Sequence, residues 1–108
     1  MTTATMNWTQ MKMEIEGHAG YAAKGSDIVC AGISTLSGAL VGALQDAEAR
    51  GRTNASWEKP AEDRLIITAD PNMSSMNEVK AYFRMCVKGL RMLQEQYPNN
   101  IKVRELSV

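Results

Sequence analysis

From Met11 to Glu16 the chain reads MKMEIE, apolar and charged in strict alternation. That period of two predicts a strand with one face on a core. Ahead of it, the threonine-rich Thr2 to Trp8 predicts a short edge strand forming a hairpin with the first, although Thr9 and Gln10 are poor residues for a two-residue turn. The run IVCAGISTLSGALVGALQDAEAR predicts a helix over Asp27 to Arg50, with Ser26 or Asp27 as N-cap and Gly51 as the stop. Within it, Gly38 and Gly42 sit beside Ala39 and Ala43, which predicts a neighbouring element packed close against the backbone. Ala55 to Lys59 and Leu65 to Ala69 predict a second hairpin, turning at Pro60 to Asp63. Met76, Val79, Phe83, Cys86, Leu90, Leu93 and Tyr97 then recur three or four apart, which draws one apolar stripe on a second helix ending before Pro98. Ile101, Val103 and Leu106 predict a last strand. Two amphipathic helices set against one group of strands give an α/β fold, a two-layer sandwich of a mixed or antiparallel sheet with both long helices on one face.

Composition narrows this picture. With 108 residues, 44% of them hydrophobic, the chain reads as a single domain over residues 1–108 with one modest core. Eight methionines outnumber the Trp, Tyr and Phe residues together, so that core is soft and adaptable. Twelve basic residues balance twelve acidic ones, and the formal net charge of +0 provides no long-range pull toward nucleic acid or an anionic membrane. The strands carry few basic residues between exposed aromatics, with only Trp8 and Trp57 available for stacking, so a nucleic-acid partner is not expected. The N-terminal MTTATMNWTQ has no basic segment followed by an apolar run. No stretch reads as the ~20 apolar residues of a membrane span. A cytoplasmic protein with reduced cysteines is the expectation.

The chemistry gathers in GHAGYAAKGSDIVCAGIS, residues 17–34, which holds the only histidine, His18, and one of the two cysteines, Cys30. Glycines at 17, 20 and 25 make the intervening segment a loop able to change shape, in the manner of a lid. His18 stands at a strand end and Cys30 in the first turn of a helix, where free N–H groups and the positive end of the dipole favour an anion. The imidazole would take the thiol proton and return it to a leaving amine, and N–H groups around Cys30 would supply an oxyanion hole. Each residue also has a plainer reading. Cys30 reads as a small buried hydrophobe, His18 as a turn residue, Asp27 as an N-cap, and Ser34 as a helical serine bonding its own backbone. Cys86 reads as core. A metal site is disfavoured because His18, Cys30 and Cys86 lack paired-ligand spacing and a fourth partner. A thiol and an imidazole need no cofactor, and none is expected.

Gly-His-Ala, a loop, and then Gly-Ser-Asp-Ile-Val-Cys-Ala-Gly-Ile-Ser closely resembles the signature of the ribosomal-processing cysteine protease family, Prp. The resemblance extends in element order along the chain and ends in a comparable NNIKVREL segment. It implies that His18 and Cys30 form the catalytic dyad. Gly17 and Gly25 match loop positions of the motif, and Asp27 and Ser34 match polar positions flanking the nucleophile. It implies a soluble homodimer with a mobile loop over the site, which removes a short N-terminal extension from a large-subunit ribosomal protein by cutting after an aromatic-rich segment. A mobile-element paralogue trimming a capsid or scaffold protein would keep the same pair. A noncatalytic dimeric binding module is the alternative of a different class, against which the presence of both His18 and Cys30 counts.

Overall fold

A computed structural model describes residues 1–107. The alternating MKMEIE segment is there as β2, Lys12–Glu16, paired antiparallel with β1, Thr2–Asn7. Between them residues 8–11 turn with Met11 at φ 50° and the Gln10 N–H held by Asn7 Oδ1 at 3.0 Å. A four-residue connection with its own side-chain clasp explains why no Asn-Gly pair is needed. Next come α1 (Ile28–Ala49), β3 (Thr53–Ala61), β4 (Arg64–Pro71), a single 3-10 turn at Met73–Ser75, α2 (Met76–Gln96) and β5 (Ile101–Leu106).

The five strands form one sheet in the order β3-β4-β2-β1-β5. β1 and β5 run parallel and every other pair is antiparallel, so the sheet is mixed, as expected. One expectation is corrected here: β1 is an interior strand, not an edge. Its outer side is covered by β5, from Thr2 opposite Ile101 to Asn7 opposite Leu106. Threonine suits a strand interior as well as an edge, so only the distant partner decides the position.

Alternation puts Ala4, Met6, Met13, Ile15, Ile67, Ala69, Ile101 and Val103 on the face beneath the helices. Val29, Ile33, Leu40 and Leu44 of α1 and Val79, Phe83, Cys86 and Leu90 of α2 close the core from above. Phe83 is fully buried at its centre. Residues of the α2 stripe stay in contact with this core along its length, with Tyr97 as the cap residue that ends the helix.

Close helix packing occurs at glycines other than the expected pair. Among the described residues, no atom beyond the adjoining stretch of α1 lies within 4 Å of a Cβ built on Gly38 or Gly42. A Cβ on Gly89 would collide with Leu36, and one on Gly32 would stand 3.1 Å from Leu93 Cδ1, so α1 and α2 meet there instead. The membrane expectation also needs adjustment at α1. Its 22 residues are long and apolar enough to cross a bilayer by length and composition. Isoleucine, valine, leucine and alanine supply that apolar character, while one side of the helix packs on α2 and β3.

Candidate active site

Three chain segments converge where β2 ends. Gly17 donates its N–H to the Asp63 carbonyl in the β3–β4 turn at 2.8 Å, and its own carbonyl accepts from Thr2 Oγ1 at 3.1 Å. Its φ is +90°, and a Cβ there would stand 2.5 Å from the Met1 carbonyl oxygen. Both the left-handed backbone and the crowding require glycine immediately before His18.

The segment 18–26 then crosses to the start of α1 and is tied down along its way. Asn100 Nδ2 donates to the Ala19 carbonyl at 2.9 Å, Tyr21 packs edge-on against Tyr97 at 5.2 Å, and Lys24 pairs with Glu62 at 3.1 Å. Gly25, at φ +89°, turns the chain back toward the helix.

Asp27 joins loop to helix. Its Oδ1 accepts from the N–H of Val29 at 3.0 Å and of Cys30 at 2.9 Å, while its Oδ2 accepts from Tyr21 at 2.9 Å and Ala22 at 3.3 Å. One buried carboxylate therefore caps α1 and clasps the loop at once. The Cys30 N–H, joined by those of Ala22, Tyr21 and Val29, holds this carboxyl below its ordinary range despite the opposing effect of burial. The same bonds correct the expected oxyanion hole: the N–H groups of Val29 and Cys30 are occupied by Asp27, and that of Ala31 goes to the Asp27 carbonyl at 3.0 Å.

Cys30 is a free, partly exposed thiol and His18 is exposed. Both open onto one hollow of ≈ 170 Å³, together with Gly17 and Ser34. Asp27 and Gly25 lie outside its lining and act on it through the backbone of the loop and helix. Ser34 stands exposed one helical turn beyond Cys30.

The structure adds residues that sequence reasoning passed over. Lys59, Glu62, Asp63 and Arg64, from the end of β3, its turn and the start of β4, form the opposite wall. They read locally as an ordinary polar turn, and nothing in their own pattern signals a site. Glu62 is held below its ordinary range first by its hydrogen bond to Lys24, with smaller contributions from Lys24, His18 and Lys59 charges. A carboxylate thus stands near the imidazole without touching Cys30's cap. Ser37, buried on α1, lines the floor and donates to the Ile33 carbonyl at 2.9 Å.

The family model described as Cysteine protease Prp matches residues 1–102. The chain belongs to this family, and it is a cysteine protease. Solved structures of similar shape bear on the fold. The Staphylococcus aureus ribosomal processing protease Prp, with a covalently linked product peptide, superposes with TM-score 0.77 at 20% identity, covering 97% of this chain and 99% of that one. The same S. aureus protease with a substrate peptide gives TM-score 0.70 at 19% identity, over 97% and 99%. SMU.848 from Streptococcus mutans gives 0.71 at 24% identity, over 99% of this chain and 93% of that one. No match is found among curated proteins.

Proposed function

We propose that the protein cuts a short N-terminal extension from a large-subunit ribosomal protein in the cytoplasm, with Cys30 as nucleophile and His18 as its general base and acid. The observation that carries this reading is the shared hollow. The only imidazole and the one partly exposed thiol border it together, while Asp27 clasps the loop between them.

The steps follow from the groups present. His18 takes the Sγ proton, and the thiolate attacks the scissile carbonyl carbon. Collapse of the tetrahedral adduct breaks the C–N bond as His18 gives its proton to the departing amine, leaving a thioester on Cys30. Water, deprotonated by His18, then attacks the thioester and releases the acid product and the thiol. Asp27 is a positioning residue in this scheme, because it orders both the first turn of α1 and the loop that carries His18. The loop from Ala19 to Gly25 closes over bound peptide, with Lys24 and Glu62 paired across its exposed tip. With the amides of Val29 and Cys30 occupied, oxyanion stabilisation comes from groups brought in by that closure. The ribosomal substrate is supported by the likeness to the S. aureus ribosomal processing protease. A homodimer belongs to the same reading, supported by the apolar outer helix surface where Met85 is 74% and Met92 55% exposed.

The test is intact-mass analysis of an aromatic-rich peptide patterned on a ribosomal N-terminal extension, incubated with wild type, Cys30→Ala and His18→Ala. Cleavage by wild type alone is expected. Cleavage that survives Cys30→Ala would move the nucleophile elsewhere.

A further inference from the structure

Along α1, Cys30, Ser34, Ser37, Val41, Gln45 and Glu48 recur three or four apart and so form one line on the helix. The first three border the candidate active site. The last three border a second groove, of ≈ 260 Å³, whose other wall is Ala55 and Trp57 of β3 with Ile67 of β4. Both hollows therefore lie in one seam between α1 and the β3–β4 hairpin. It runs from Lys59 and Glu62 at the Cys30 end to Trp57 at the far end. Trp57 is 53% exposed over this groove, an uncommon position for so large an apolar ring without a partner.

β3 is the outermost strand beside the groove. The Ala55 N–H points off the sheet, where it donates to Glu48 Oε2 at 2.9 Å. Two residues on, Trp57 turns its N–H and C=O the same way, and no strand among the described residues lies on that side. An exposed edge beside a side-chain pocket is the arrangement by which an extended peptide is gripped through its backbone and selected by its side chains.

We propose that the α1–β3 groove is a remote specificity subsite of the cleavage cleft, which takes an aromatic or large aliphatic side chain of an extended substrate segment lying beside β3. The inference rests on the peptidase reading above and concerns which peptides are cut, not the chemistry of the cut. Val41 lies 11 positions beyond Cys30. At 1.5 Å per residue that is about 16 Å. An extended chain rising about 3.3 Å per residue covers the distance in about five residues. Continuity of the seam with the Cys30 hollow makes a substrate segment the occupant. Trp57 and Val41 set its apolar preference.

The test uses peptides in which a single Phe is moved through positions roughly four to seven residues from the cut bond on either side, with Ala elsewhere in that window. Wild type is expected to show a maximum of kcat/KM at one position, about tenfold above the all-Ala peptide, as one apolar pocket contact allows. Trp57→Ala is expected to lose that maximum and to cut the all-Ala peptide as wild type does. A flat profile for a wild type that cuts these peptides, or a maximum that survives Trp57→Ala, overturns the proposal. Binding of the same peptides to Cys30→Ala, with and without Trp57→Ala, separates the two readings. Trp57-dependent binding without cleavage by wild type would sink the proposed cut of these peptides and leave the groove standing as a peptide-binding site. Cleavage without any Trp57 dependence would do the reverse. A fall in sedimentation mass caused by Trp57→Ala would assign the groove to a second copy of the chain and overturn the proposal.

Discussion

The two cysteines show how far environment, and not residue type, decides chemistry. Cys86 is buried on the inner stripe of α2, with its Sγ 3.8 Å from Met13 Sδ and 3.7 Å from the Leu36 carbonyl. Burial pushes its thiol up to about 11, so it stays protonated and inert at neutral pH. Cys30 is partly exposed at the start of α1, on a hollow shared with His18 and walled by the charged β3–β4 turn. The contrast leaves the partly exposed thiol where a helix start, a clasped loop and a sheet end meet, and the buried one in the packing of the core.

The sharpest way to break that comparison is to remove each thiol in turn. Cys30→Ala should reduce peptide cleavage to background with an unchanged thermal midpoint. Cys86→Ala should cut normally yet lose about 1 kcal/mol of stability, since only a small buried sulfur is removed. Denaturant melts and cleavage assays on both variants check this, and loss of cutting in the folded Cys86→Ala protein would contradict it.

Next in size is alkylation. Iodoacetamide at pH 8 should label Cys30 in the native protein at least about a hundredfold faster than Cys86, and both should react alike in denaturant. Mass mapping reads the ratio, and equal native rates would erase the distinction.

A moderate effect is expected at Asp27, whose carboxylate ties the Cys30 helix start to the His18 loop. Its folded pKa is lowered from 3.8. The stability it contributes is therefore present above 3.8 and is lost as pH falls through the lower folded value. Asp27→Ala should flatten that part of the acid stability profile and cut kcat several-fold, while Cys30 remains open to alkylation. An unchanged kcat would reduce Asp27 to a cap alone.

The smallest effect belongs to Lys24→Ala. The Lys24–Glu62 pair is exposed, so the thermal midpoint should not move. Any consequence should appear in KM for peptide, through the loop, and a shifted midpoint would give the pair a structural role instead.

Much of this is legible in the sequence because the signals are local. The alternation in Lys12–Glu16 and the stripe from Met76 to Leu93 report a face toward the core, and Gly51 marks the end of α1 with φ +72°. The interior position of β1 is not legible, because β5 comes from the far end of the chain. The β3–β4 turn falls later than the residue pattern predicts. β3 continues through Pro60 to Ala61, and the register against β4 shifts between Glu58 and Ala61, an irregularity of the kind that accommodates a proline in a strand. Gly38 and Gly42 carry the pattern of a packing site, whereas contact falls at Gly32 and Gly89, since the crossing of two helices is set by their partners. At the site, His18, Cys30, Gly17 and Gly25 stand out in one short motif. The double grip of Asp27 and the wall from Lys59 to Arg64 depend on long-range closure and have no local signature.

The most direct test of Cys30 as the nucleophile is to quench the protein with acid during turnover of a slowly cut peptide ester and to map the covalent adduct by mass. The expected result is an acyl group on the tryptic fragment from Gly25 to Arg50, at Cys30, absent in Cys30→Ala and reduced in His18→Ala. Turnover with the adduct on another residue, or with no adduct while Cys30→Ala still cuts, would contradict it.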